Sequence, residues 1–153
     1  KGAQKVDWLL HTWLGKFLYL YWNISPKVLL KQGFYDKQRL SPKVHRHYTR
    51  VFPHKNSRYG LLRIGRSLVG ASDWYQQQWE QLNTIEDKPW LILWGTEDAF
   101  LGTEFLERWK SRLPRANVIT YECGHFVQEE KPVESLAEIR HFLAYRSAER
   151  LAG

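Results

Sequence analysis

The sequence predicts an α/β fold in which helices precede two parallel strands. The continuous apolar run Trp90–Trp94 supports this, because it is typical of a strand buried on both faces of a parallel sheet, and Val118–Tyr121 is predicted as a second strand. A helical pattern follows each run, and the order strand, helix, strand, helix is that of a βαβ unit with a right-handed crossover. Before the first run, the apolar residues recur with the period of helices instead.

The first segment contains five predicted helices. The first is apolar around most of its circumference, so we expect it to be buried on more than one side. The third has the clearest start, because Ser41 is a good N-cap and Pro42 fits the first helical position. The predicted ranges are Val6–Tyr21, a short helix between Pro26 and Gly33, Pro42 to Val51 or Phe52, Arg58–Val69 and Asp73–Leu82.

The second segment contains two predicted helices beside its strands. Thr103–Leu113 has its apolar residues on one side and is followed by Pro114, and the last helix opens at Pro132. Parallel sheets need neighbouring strands and cover on both faces, so two strands cannot complete one. We therefore expect the end of a larger open sheet whose earlier strands are missing. The start at Lys1 and the absence of Met favour a trimmed or incompletely recorded piece.

The net charge of +7 is concentrated in the first segment. Residues 1–87 contain 14 Lys+Arg and 6 Asp+Glu, whereas residues 88–153 contain 9 and 10. The linker Thr84–Pro89 marks this change, so we predict a helical domain over 1–87 and a βαβα segment over 88–153. Basic residues interleaved with Trp and Tyr are compatible with a nucleic-acid surface. Because no nucleic-acid motif accompanies them, the sequence favours a solvated cationic face and no nucleic-acid partner.

The composition argues against several other classes. A single cysteine excludes a disulfide framework and a cysteine zinc module, and it favours a reducing, cytoplasmic location. His11 and Lys16 interrupt the most apolar early stretch, Trp8–Trp22, which is also short for a membrane span, so we expect no membrane association. His45 and His47 lie on different faces of a predicted helix and cannot share an ion. We therefore expect no metal site and no cofactor.

Candidate catalytic side chains follow both predicted strands. Asp98 comes three residues after Gly95 at the end of the first strand, and His125 follows the second strand in the run Glu122–His125. Reactive groups of open α/β sheets lie in loops beyond the carboxyl ends of strands, so the two side chains could lie within hydrogen-bond reach. Such a pair is two-thirds of a nucleophile–His–acid triad. The spacing equally allows Asp98 to cap a helix and His125 to bond backbone.

The motifs around these residues resemble those of α/β-hydrolases. Gly95–Asp98 is similar to the G-x-x-D acid turn of the family, and Gly124–Pro132 is similar to its signature G-H-F-x-x-Q/E-E-x-P. Residues 88–145 resemble the C-terminal end of the fold in the haloalkane dehalogenase and epoxide hydrolase group, and residues 35–60 resemble its helical cap less sharply. The resemblance implies that Asp98 is the catalytic acid and that His125 is the base that activates the hydrolytic water.

Other residues of this chain fit the family pattern in part. Tyr48 lies in similar surroundings to a cap Tyr that donates a proton to epoxides in this group, and packing or pocket lining is the alternative. The nucleophile elbow of the family precedes the cap and is absent. The sequence around Ser67 departs from the motif G-x-S-x-G, because Val69 occupies the position of the second glycine. Asp73 is also a poor candidate, because Tyr75 occupies the position where the elbow needs Gly. The nucleophile is therefore unknown and expected outside this chain, in an upstream N-terminal half or a second chain.

The resemblance thus implies a hydrolase of the haloalkane dehalogenase or epoxide hydrolase type. The expected substrate is a small apolar molecule of the ester, halide or epoxide type. The chain would supply the cap, the acid and the histidine. The alternative is a catalytically inactive, hydrolase-like binding or interaction module.

Overall fold

The computed structural model describes residues 8–152 and groups them into two compact units. The first unit runs from the start of the described part to Lys31 and continues over Ser41–Ile85. The second unit combines Gln32–Leu40 with the residues from Glu86 onward. The predicted domain division at residue 87 stays a prediction. The grouping differs from it mainly in adding Gln32–Leu40 to the second unit.

The regular elements of the first unit are all helical among its described residues. A π-helical turn over Ser25–Leu29 leads into α2, and a 3₁₀ turn over Gln81–Thr84 follows α5. Ser41 caps α3 as its sequence suggested, because its Oγ accepts the N–H of Val44 at 3.3 Å. The helices are α1 (Trp13–Leu20), α2 (Leu30–Gln32), α3 (Pro42–Arg50), α4 (Lys55–Gly70) and α5 (Ser72–Glu80).

The first predicted helix differs from the structure. Its start at Val6 lies outside the described residues, and residues 8–11 are helical. Thr12 interrupts the helix and begins α1, because its hydroxyl oxygen accepts the N–H of Gly15 at 3.1 Å. A Cβ at Gly15 would come within 2.0 Å of the carbonyl oxygen of Leu9, so this break requires glycine. Apolar periodicity did not reveal a cap inside an otherwise continuous pattern.

The core of the first unit is formed where α1 packs against α4. Leu10, Leu20 and Leu62 are buried there. The guanidinium of Arg58 lies at the edge of this core and donates to four carbonyl oxygens, those of Leu20, Tyr21, Phe52 and Pro53, at 2.8–3.1 Å. Part of the positive charge of this segment therefore satisfies backbone acceptors at the C-terminal end of α1 and just after α3.

The second unit contains two parallel strands with flanking helices. The strands are β1 (Leu91–Gly95) and β2 (Asn117–Tyr121), paired in register from Leu91 opposite Asn117 to Gly95 opposite Tyr121. The helices are α6 (Thr103–Arg112), α7 (Val127–Glu130) and α8 (Pro132–Ala152). The predicted order of strand, helix, strand, helix is confirmed, and α7 is an additional turn that the pattern did not predict. Within residues 8–152, no helix is both long and apolar enough to cross a bilayer.

Candidate active site

The turns after the two strands are joined by backbone hydrogen bonds. The N–H of Thr96 donates to the carbonyl of Tyr121 at 2.9 Å, and the N–H of Glu97 donates to the carbonyl of Cys123 at 3.0 Å. These bonds continue the parallel pairing beyond both strand ends. The two turns are therefore held side by side at the carboxyl edge of the sheet.

Glycine allows these turns to approach each other closely. A Cβ on Gly95 would lie 2.1 Å from the carbonyl oxygen of Gly124 and 2.5 Å from that of Cys123. No side chain is tolerated at such distances, so the first glycine of the G-x-x-D turn has a steric role. It lets the strand end pass directly against the loop that contains His125.

Asp98 and His125 meet across this junction. Nδ1 of His125 lies 2.7 Å from Oδ2 of Asp98, whose side chain is 7% exposed. Oδ1 of Asp98 accepts the N–H groups of Phe100 at 2.7 Å and Leu101 at 3.1 Å. An ionised carboxylate only accepts, so the proton of a neutral His125 lies on Nδ1 and the Nε2 lone pair is left for chemistry.

Aromatic rings surround the imidazole of His125. The rings of Phe100 and Phe126 meet it edge to face, with centroids at 5.2 Å and 5.1 Å. The His125 side chain is 35% exposed. Among the described residues, none hydrogen bonds to Nε2. The imidazole is thus oriented through one nitrogen, and its partly exposed ring lies in partly apolar surroundings.

Glu130 is a buried charged residue beside this loop that sequence reasoning did not single out. Its carboxylate accepts the N–H groups of Gly124 at 2.8 Å, Tyr35 at 3.1 Å and Asp36 at 2.7 Å. The residue is 2% exposed. The motif places it in the family signature, but its partners in the 35–36 region are 94 and 95 positions away, so no local pattern could identify them.

The segment Gln32–Leu40 also supports the histidine loop. The carbonyl of Gly33 accepts the N–H of His125 at 2.7 Å, and the ring of Phe34 packs on that of Phe126 at 5.1 Å. A Cβ on Gly33 would meet a ring carbon of Phe126 at 2.5 Å. The helical domain predicted over residues 1–87 includes this segment, whereas in the structure it packs against the histidine loop.

Similarity to known proteins identifies the fold family of this chain. The sequence model for the alpha/beta hydrolase fold matches residues 9–132, which is most of the chain. This chain belongs to the α/β-hydrolase fold family. The family that the two motifs suggested is therefore confirmed.

Solved structures of similar fold include wild-type DBJA and haloalkane dehalogenase DatA from Agrobacterium tumefaciens, the latter as a point mutant. DBJA is 25% identical with a TM-score of 0.80 over 96% of this chain and 51% of its own. DatA is 25% identical with a TM-score of 0.74 over 91% of this chain and 49% of its own. This α/β-hydrolase chain thus spans about half the length of these structures.

A curated relative comes from Shewanella oneidensis and is a cis-3-alkyl-4-alkyloxetan-2-one decarboxylase. It is 36% identical over 56 residues, which are 36% of this chain and 18% of that protein. The likeness is therefore to a short stretch of that protein.

The other candidates of this α/β-hydrolase chain lie within helices. Ser67 is inside α4, and Asp73 is in the first turn of α5, which directly follows another helix. A nucleophile elbow joins a strand to a helix, so neither residue has that context. Tyr48 is half-buried on α3 in the first unit, and its role in a substrate pocket stays a prediction.

His45 and Cys123, which lie outside the pair, have surroundings that fit a structural role. Nε2 of His45 lies 2.8 Å from the carbonyl oxygen of Pro26 in the π-helical turn, which leaves His45 engaged with backbone. No group of three His, Cys, Asp or Glu side chains in the described part of the chain could hold a metal ion.

Cys123 is fully buried, and desolvation raises the pKa of its thiol to about 11. A thiol of this kind remains protonated near neutral pH and is a poor nucleophile.

Proposed function

We propose that this chain supplies the acid, the base and the helical cap of a hydrolase that cleaves small apolar substrates through a covalent intermediate. Asp98 is the acid and His125 is the base. The nucleophile lies outside these 153 residues, in an upstream half of the polypeptide or in a second chain. The reaction is of the haloalkane dehalogenase or epoxide hydrolase type.

The hydrogen bond between Asp98 and His125 is the observation that carries this proposal. One carboxylate oxygen is held by two backbone N–H groups, and the other lies 2.7 Å from Nδ1. A carboxylate fixed in this way sets the tautomer of the imidazole and stabilises the imidazolium that forms when Nε2 takes a proton. This contact with a carboxylate favours the catalytic role over that of a loop histidine whose ring bonds to backbone.

The proposed reaction has two steps. A carboxylate nucleophile attacks the substrate carbon and forms a covalent ester, while the halide leaves with its electron pair or the opened epoxide oxygen takes up a proton from solvent. Nε2 of His125 then accepts a proton from a water molecule, whose oxygen attacks the carbonyl carbon of the ester. The imidazolium returns that proton to the departing alkoxide, so that the product alcohol and the free carboxylate are released. Asp98 remains ionised throughout and stabilises the cation on His125.

The decisive experiment traps the intermediate in the natural polypeptide. Without its base, the enzyme can form the ester but cannot hydrolyse it, so His125→Ala incubated with a 1-haloalkane should gain the mass of one alkyl group. Peptide mapping then locates the adduct. We expect it on a residue outside the 153 of this chain. An adduct on Asp73 or Ser67 would refute the assignment of the nucleophile.

The same polypeptide without substitution is assayed on four compounds of different chemistry. These are a 1-haloalkane, a terminal epoxide, a p-nitrophenyl ester and a 3-alkyl-4-alkyloxetan-2-one, the last because the Shewanella relative is named for it. Release of halide, diol, phenol or carbon dioxide identifies the class. If none reacts and no adduct forms, the alternative is favoured, namely a hydrolase-like binding module without catalysis.

A further inference from the structure

Glu130 is a buried carboxylate whose hydrogen bonds are all to backbone N–H groups. Oε1 accepts from Gly124 and Tyr35, and Oε2 accepts from Asp36. Burying an ionised carboxylate costs several kcal/mol unless it is paired or fully hydrogen-bonded. Three charge-assisted bonds offset that cost, and they are lost together if the local backbone moves.

These bonds hold the backbone next to His125. Glu130 takes the N–H of Gly124, which is the residue directly before the histidine, and the carbonyl of Gly33 takes the N–H of His125 itself at 2.7 Å. The same carboxylate also holds the backbone two and three residues beyond Gly33. The carboxylate of Glu130 therefore ties the histidine loop to the segment Gly33–Asp36, beside the direct backbone bond between them.

The backbone at Gly124 lies very close to the backbone of the segment Gly33–Asp36. A Cβ on Gly124 would meet the carbonyl oxygen of Gly33 at 2.3 Å, the nitrogen of Tyr35 at 2.7 Å and Oε1 of Glu130 at 2.8 Å. The loop therefore passes through a space that only glycine fits. Any displacement of this backbone changes the direction in which the imidazole leaves the main chain, and so changes its distance to Asp98.

We propose that Glu130 is a positioning residue that aligns His125 with Asp98, an inference that rests on the proposed function of that pair. Asp98 has its own attachment, since the N–H groups of Phe100 and Leu101 hold its other oxygen. Among the described residues, none makes a second hydrogen bond to the imidazole ring, so the alignment of the ring depends on its backbone. A misplacement of about 1 Å in a catalytic group costs on the order of 100-fold in rate.

The test replaces Glu130 with Gln in the natural polypeptide. The amide keeps one acceptor oxygen, but its NH₂ group faces a backbone N–H where the carboxylate accepted one. The principal readout is proton NMR of the imidazole N–H of His125, which resonates far downfield while it is hydrogen-bonded to a carboxylate. The signal is assigned by its loss in Asp98→Asn. In Glu130→Gln we expect it to shift upfield or to broaden through exchange with solvent.

Kinetics supply a second readout. We expect kcat to fall on the order of 10–100-fold with little change in KM, because substrate binding does not involve Glu130. Glu130→Asp retains the charge on a shorter side chain and should lie between Gln and wild type in both readouts. It also keeps the test informative if the Gln variant does not fold.

Two matched controls separate positioning from general destabilisation. Glu134→Gln removes the same charge from an exposed residue four positions later. Leu106→Ala weakens the core of the second unit at a buried site, where Leu106 is 3% exposed. Below their melting temperatures, both should keep the downfield signal and the wild-type kcat.

The NMR signal of His125 tests the positioning role of Glu130 whether or not the polypeptide turns over a substrate. If the signal in Glu130→Gln and Glu130→Asp matches that of Leu106→Ala, Glu130 is structural only and the proposal is overturned. If the wild-type polypeptide turns over none of the substrates, the proposed function fails. A shifted signal in the Glu130 variants would still support the positioning role.

Discussion

Nδ1 of His125 lies 2.7 Å from Oδ2 of Asp98, although the two residues are 27 positions apart. Parallel pairing of β1 with β2 produces this contact, because it brings the carboxyl ends of both strands to one edge. The turns are then joined by backbone bonds from Thr96 and Glu97. The geometry of the pair is thus a consequence of strand register and of the glycine that lets the turns touch.

The first prediction concerns the roles of this pair. In the natural polypeptide, His125→Ala should abolish turnover, because it removes the group proposed to accept the proton of the hydrolytic water. Asp98→Asn should lower kcat on the order of 10⁴-fold, since it leaves the imidazole in the wrong tautomer. Turnover and melting temperature are measured for both. Neither substitution should unfold the protein, because both side chains lie in turns beyond the strands.

Glu97 offers a matched control for Asp98. It is exposed, precedes the acid by one position and bonds to the hydroxyl of Thr96 at 3.2 Å. Glu97→Gln should therefore keep wild-type turnover. A crippled Glu97→Gln beside an active Asp98→Asn would show that the acid is misassigned, and three active variants would remove the hydrolase proposal.

The second prediction concerns the glycines at the junction. Gly95→Ala places a Cβ 2.1 Å from the carbonyl oxygen of Gly124, so the two turns must separate. Gly124→Ala places one 2.3 Å from the carbonyl oxygen of Gly33, so the histidine loop must move away from that segment. Overpacking of this kind costs about 1–3 kcal/mol in the free energy of unfolding. Chemical denaturation measures that loss, and loss of the downfield signal of His125 reports the separation.

Gly60 is the control for these two substitutions. It lies within α4 and a Cβ there meets nothing within 4 Å. Gly60→Ala should raise the free energy of unfolding by about 0.5–1 kcal/mol, because alanine loses less conformational freedom in a helix. Equal effects at Gly60 and Gly95 would contradict the steric argument.

The pair itself was predictable from sequence, whereas its support was not. Asp98 and His125 each follow an apolar run, so a local pattern together with the geometry of parallel sheets predicts their meeting. The attachment of the histidine loop depends on Tyr35, Asp36 and Glu130, which are far apart in the chain and have no repeating pattern. Contacts of this kind arise from tertiary packing and leave no local signal.

The helices were likewise predictable where a cap and an apolar stripe agreed. Ser41 and Pro42 located the start of α3, and Pro132 located the start of α8. The interruption at Thr12 was missed, because a side-chain cap there competes with a continuous apolar pattern around it. The short helix α7 was missed because four residues carry no measurable period.

The third prediction concerns the buried thiol. Burial raises the pKa of Cys123 from its ordinary 9.0 to about 11, so the folded state keeps the proton that the unfolded chain releases. The resulting stabilisation is fully present below about pH 9 and is lost as the pH rises toward 11. Denaturation across that range should show a steeper loss in wild type than in Cys123→Ala. Identical slopes would contradict the raised pKa, as would rapid alkylation of the native thiol at pH 8.

The fourth prediction concerns the basic first segment. If its charge is a solvated face, binding to duplex or single-stranded DNA should be weak and should vanish by physiological salt, because only non-specific phosphate contacts contribute. Fluorescence anisotropy at 50 mM and 200 mM salt measures this. Sub-micromolar affinity retained at the higher salt would favour a nucleic-acid function instead.

The last prediction concerns Arg58, whose guanidinium group binds backbone carbonyls within the first unit. Its guanidinium donates to the carbonyls of Leu20, Tyr21, Phe52 and Pro53, and only a planar group with several fixed donors reaches all of them. Arg58→Lys keeps the charge but loses that geometry, so the free energy of unfolding should fall by about 1.5–3 kcal/mol.

Arg63 provides the control, because it is exposed on the same helix. Arg63→Lys should change the free energy of unfolding by less than about 0.5 kcal/mol. Denaturant titration of both variants makes the comparison, and an equal response would mean that the contribution of Arg58 is its charge alone.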